Sequence, residues 1–240
     1  MPLNIEVTQF PNGIGTVKDN NVLNAVPVPI PGGAFAFDDL DANSLFLTNW
    51  EATAIAGGVT VSRPISASGL LRQVTGGNGL DGNEYNATEG GVAPDIFEIA
   101  VGQEAWFGAR LSLDVVNLST LILGFVPEAS AIAPADGVYI RKASGATLVE
   151  LVVENNGAAQ SVISLGNIEA DVFFEFGLYW DGIDKVSAQF SADGVIGGGG
   201  SLLPGANLPA VGLSPTVTVA EGAAAAVTAD LDFVLFGGSR

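Results

Sequence analysis

The chain has 240 residues, 48% of them apolar and only 14% charged, and its 26 acidic side chains outweigh 8 basic ones to give a net charge of -18. So acidic a surface repels phosphate backbones and anionic lipid, which sets nucleic-acid and membrane partners aside. Cysteine and histidine are both absent, which removes disulfides, thiolate nucleophiles, Cys- or His-ligated zinc, and Ser-His-Asp or Cys-His catalysis.

The opening residues, MPLNIEVTQFPNG, carry neither a basic region nor a continuous apolar run. A protein made and kept in a cytoplasm is expected. Residues 1–33 are punctuated by Pro2, Pro11, Pro27, Pro29 and Pro31 and show no periodic run. The segment Val26, Pro27, Val28, Pro29, Ile30, Pro31 favours a stiff polyproline conformation that lacks amide donors at alternate positions. Two readings fit: an edge strand on its own domain, or an extended arm that reaches a neighbouring molecule. In the second, Phe10, Pro11 and the residues from Val26 to Pro31 form the interface.

From residue 34 to 240 the pattern is that of one β domain. Apolar or alternating runs occur at 34–38, 50–56, 59–61, 70–74, 96–100, 104–115, 120–126 and 137–141, then at 148–155, 158–165, 172–180, 186–192, 215–220 and 229–237. Alternation is clearest where Phe107, Ala109, Leu111 and Leu113 share a core face opposite Trp106, Gly108, Arg110 and Ser112. Asn156-Gly157 between two β-prone runs predicts a hairpin, and Asp181-Gly182 and Asp193-Gly194 predict two further reversals. The four glycines 197–200 predict a mobile loop tip or a bulge-rich edge. Many short strands and no helical layer imply two packed antiparallel sheets, an all-β jelly-roll sandwich.

Three groups bear on chemistry. Asp39, Asp41 and Asn43 have the alternating oxygens of a calcium loop, but Ser44 replaces the turn glycine and Trp50 the bidentate glutamate. They are weak metal candidates, and a solvated turn is the plainer expectation. Glu169, Asp171 and Glu175 invite comparison with the closely spaced acids of lectin-like β-glucanases. Val172, Phe173 and Phe174 break that spacing, however, and leave Glu175 alone on its strand, so no catalytic residue is assigned. Trp50, Trp106, Trp180, Tyr85, Tyr139 and Tyr179 can be imagined as a sugar-stacking platform. For Trp106 and Trp180 a core or inter-sheet position is the expectation.

The order of Glu104-Ala-Trp106-Phe-Gly-Ala-Arg110-Leu, Leu123-Gly-Phe125, Asp136-Gly-Val-Tyr-Ile-Arg141-Lys142, Leu151-Val-Val-Glu154, Phe176-Gly-Leu-Tyr-Trp-Asp-Gly182 and Asp230-Leu-Asp-Phe-Val-Leu resembles tailed-bacteriophage virion proteins with a concanavalin-like, laminin-G-like jelly roll. The resemblance covers roughly residues 34–240. It implies a non-enzymatic capsid decoration, or cement, protein without cofactor, assembled in the host cytoplasm and placed on the outer surface of the head. Its partner would be the major capsid protein, and a homotrimer is the expected assembly. A carbohydrate-binding module or tail adhesin of the same fold is the alternative.

Overall fold

The computed structural model describes residues 50–57, 70–87, 97–128, 132–157, 160–192 and 195–238 in full, together with the backbone of the strands outside those ranges named here. In chain order the strands are β1 (Glu6–Gln9), β2 (Gly15–Lys18), β3 (Val26–Val28), β4 (Gly33–Asp38), β5 (Trp50–Ile55), β6 (Val59–Ser62), β7 (Leu71–Thr75), β8 (Gly82–Ala87) and β9 (Ala105–Leu113). There follow β10 (Ser119–Val126), β11 (Gly137–Lys142), β12 (Leu148–Glu154), β13 (Ser161–Asn167), β14 (Phe174–Trp180), β15 (Val186–Ala192), β16 (Val195–Leu202), β17 (Ser214–Glu221) and β18 (Thr228–Ser239). Among the described residues the only helical pieces are two single 3-10 turns, Val116–Leu118 and Gly205–Asn207.

Two antiparallel sheets form the sandwich. One runs β13-β12-β11-β10-β17-β8-β5, the other β16-β15-β14-β9-β18-β7-β6, with β4 pairing the far half of β18. Alternation decides which side chains meet between them. Phe107, Ala109, Leu111 and Leu113 of β9 and Phe174, Phe176, Leu178 and Trp180 of β14 face Leu121, Leu123 and Phe125 of β10 and Leu151 and Val153 of β12 in one buried core. The edge-on contact Phe107–Phe125 (6.0 Å, 75°) ties the two layers, and Phe174–Phe190 (5.8 Å, 65°) joins neighbouring strands of one of them, a geometry that adds to the burial itself.

Several expectations are corrected. Of the run at 96–100, the described residues 97–100 make only an isolated bridge, Phe97 with Leu213, because the chain turns at 101–102 and Trp180 takes the Ala100 carbonyl. Asn156 (φ 54°) and Gly157 (φ 62°) do adopt the left-handed conformation, but the β12–β13 connection spans residues 155–160 rather than two. The Asp136 carboxylate and the Ala135 carbonyl accept the Asn156 and Gly157 amides and widen it. Val26–Val28 is strand β3, paired with β2, which also pairs β1. Of the two readings of the glycine run, the loop tip falls and the bulged edge holds: residues 195–202 are the edge strand β16, with one bulge opposite Phe190 and Ser191.

Candidate functional site

The outer face of the eight-stranded sheet carries a cation held by acids. Arg110 on β9 lies opposite Glu175 on β14 and next to Asp232 at a bulge in β18. Its guanidinium pairs with both carboxylates, Glu175 at 3.4 Å, and sits 4.6 Å from the centroid of the Phe173 ring. One strand further out, Arg72 pairs with Asp230 at 2.6 Å. These carboxylates are engaged in holding strands together, as charge-assisted hydrogen bonds do. Glu175 stands alone of the glucanase-like acids on a strand. Glu169 and Asp171 are exposed in the turn that precedes β14, where Asp171 has φ +59°.

On the seven-stranded sheet the middle of the outer face is buried. Ile122, Val126, Tyr139 and Val152 form a second buried apolar cluster on it. Beside them Thr216, Glu84 and Asn86 are each 0% exposed. Asn86 donates to Glu84 (2.7 Å) and accepts from Thr216 (3.0 Å), while Tyr139 donates to Glu154 (3.1 Å). Burial pushes the Tyr139 phenol pKa up, and the neighbouring Glu154 carboxylate adds to the shift.

The six aromatics of the imagined sugar platform are unavailable. Trp50, Trp180, Tyr85 and Tyr139 are buried, and Trp106 is buried on the outer face rather than in the core. Tyr179 shares that face with Trp106, directly across the ladder, and is half-buried. No three His, Cys, Asp or Glu side chains gather to hold a metal ion among the described residues. Asp39, Asp41 and Asn43 lie outside those residues, as do Phe10, Pro11, Pro29, Ile30 and Pro31, while only the backbone of Val26, Pro27 and Val28 is described.

What the described surface does present is a rigid apolar tip at the β14–β15 turn. Asp181 Oδ1 accepts the amides of Ile183 (2.8 Å), Asp184 (3.0 Å) and Lys185 (3.0 Å). Burial alone pushes that carboxyl pKa up, but the three amide donors and the Lys185 charge outweigh it and hold the group below its ordinary range. Gly182 (φ +70°) closes the turn, and its carbonyl accepts the Gly102 amide at 2.6 Å, locking residues 100–103 alongside. Trp180 Nε1 completes the clamp by donating to the Ala100 carbonyl at 3.1 Å. Two aliphatic side chains project from it, Val101 71% and Ile183 63% exposed. Lys185 stands next to them, the one exposed cation among the described residues without an ion pair. The Asp181-Gly182 turn was visible in the sequence. Its pairing with residues 100–103 was not, because that contact is non-local and made by backbone.

No family model and no curated protein matches the chain. Among solved structures it is similar to a protein of unknown function from Shewanella oneidensis MR-1, at 12% identity and TM-score 0.61 over 86% of each chain. It is also similar to a Bacillus licheniformis beta-glucanase, at 11% identity and TM-score 0.56 over 86% of this chain and 98% of that one. Peanut lectin is a third, at 7% identity and TM-score 0.55 over 86% and 97%. Likeness at such identities establishes the fold, a concanavalin-like jelly-roll sandwich.

Proposed function

We propose that this chain is a non-enzymatic virion protein that docks on the outside of a tailed-phage head and reinforces it, with the major capsid protein as partner. The observation that carries the reading is where the chemistry has gone. Glu175, Asp232, Asp230, Glu150 and Glu154 are bound to internal partners, while Val101 and Ile183 project from clamped backbone beside the exposed Asp184 and Lys185. Pre-ordered apolar side chains suit a protein surface, since little conformational freedom remains to be lost on docking. The strand-and-turn order that resembles phage decoration proteins points the same way, and the net charge of -18 suits an outer surface better than one facing packaged DNA. A partner that binds only the assembled shell stabilises it by mass action.

The second reading, a carbohydrate-binding module, draws on the likeness to peanut lectin. Co-sedimentation with heads of the encoding phage separates the two. The wild-type chain is expected to pellet with heads, and a Val101→Asp/Ile183→Asp variant with unchanged melting temperature is expected to stay in the supernatant. A chain that ignores heads but is retained on a glycan array would replace the first reading with the second.

A further inference from the structure

The four-glycine strand β16 is an edge. One side of it bonds to β15, and among the described residues no backbone hydrogen bond leaves its other side. Monomeric proteins guard such edges with lysine, proline, a cover or a short length. Here residues 195–203, VIGGGGSLL, contain no charged residue, in a chain of net charge -18. The neighbouring edge strand β13 carries none either. A single bulge opposite Phe190 and Ser191 interrupts the ladder near the start of β16 and leaves Gly198 to Leu202 in regular register.

Apolar exposure concentrates on the same side of the molecule. Of the eight large hydrophobic side chains exposed among the described residues, Val195 (69%), Ile196 (66%) and Leu203 (68%) lie on β16 or directly after it, and Val162 lies on β13. The strand is held flat from within. A Cβ at Gly198 would overlap the Leu165 carbonyl oxygen, and one at Gly200 would meet Ile163 Cδ1 at 2.9 Å, so β13 packs directly on the inner face of β16. Gly197 is likewise held against the buried Phe190 ring, which a Cβ there would overlap, while Gly199 faces away from β13.

We infer that β16 pairs antiparallel with β16 of a second copy of this chain, joining two eight-stranded sheets into one across a twofold axis. An edge of alternating donors and acceptors is complementary to itself under such an axis. Charge selects the occupant. Two chains of this acidity repel wherever carboxylates meet, and along β13 and β16 themselves no carboxylate stands in the way of pairing. The contact is a dimer contact rather than the threefold one that the phage resemblance implies, and it stands whether or not the chain binds heads.

Light scattering on the isolated chain tests it. The wild type is expected at twice the 24.3 kDa chain mass, with those amides of residues 198–201 that do not bond to β15 protected from hydrogen exchange and losing that protection on dilution to monomer. Ile196→Glu/Ser201→Glu, which places carboxylates at exposed edge positions, is expected to halve the mass without lowering the melting temperature. Val211→Glu, at an exposed aliphatic that belongs to neither β13 nor β16, is expected to keep the wild-type mass. A monomeric or trimeric wild type, an edge variant that keeps twice the chain mass, or a Val211 variant that is equally monomeric would each overturn the inference.

Discussion

Lys142 has no exposed surface, yet no carboxylate pairs with it. Its ammonium donates to the Val116 and Ser119 carbonyls and to the Ser119 hydroxyl (2.8 Å), capping the 3-10 turn at the end of the sandwich. Burial lowers its pKa from 10.5 to about 8. Between those values the unfolded chain binds more protons than the folded one, so stability rises with pH across that window. Burial acts oppositely on Tyr85, whose pKa is pushed up to about 12, so that ionisation of the unfolded chain erodes stability once pH passes the ordinary phenol value of about 10. Chemical denaturation as a function of pH is therefore expected to show stability climbing from pH 8 and turning down above about 10. In Lys142→Met the climb should vanish while the downturn remains. A residue of this kind is illegible in sequence, because Arg141-Lys142 reads as a pair of surface charges until the pleat turns the second one inward.

At the scale of elements, the strands that sequence located well are those with one apolar and one polar face. Burial alternates along β14 and along parts of β9 and β15, and the sequence after β14 and after β15 carries Asp-Gly. β8 escaped detection because GNEYNA has little intrinsic strand preference, and its place is set by partners. Asn83 donates to Tyr85, Asn86 bridges Glu84 and Thr216, and all six residues are buried. A Cβ on Gly82 would also run into Ala220 of β17. β16 escaped for the opposite reason, having almost no side chains to show a period. Its glycines are required by contact rather than by conformation, and they differ in how strictly. Gly198→Ala collides with the Leu165 backbone and is expected to cost about 3 kcal/mol, near the upper end for overpacking. Gly199→Ala meets nothing closer than 3.0 Å and is expected to cost less than about 1 kcal/mol. Urea denaturation of the two variants reads the difference directly, and equal losses would remove β13 as the reason for the glycines.

Across the whole molecule, length, turn spacing and the absence of helical periodicity were enough to reach the two-sheet sandwich, because every strand pair must bury one face. The surface that matters for binding was less legible. Exposure of Ile183 and Val101 depends on a backbone clamp between segments far apart in the chain, and composition reports acidity without saying where it is missing. Trp180 takes the expected core position, whereas Trp106 is buried on the outer face instead. What is left outside is a shell of carboxylates, a clamped aliphatic tip and uncharged sheet edges, the equipment of a protein that binds other proteins. The most direct test is the heat stability of phage heads assembled without this chain and then resupplied with it in purified form. Resupplied heads are expected to rupture at a higher temperature in proportion to the bound chain; heads that bind none of it, or rupture at the same temperature when saturated, would contradict the account.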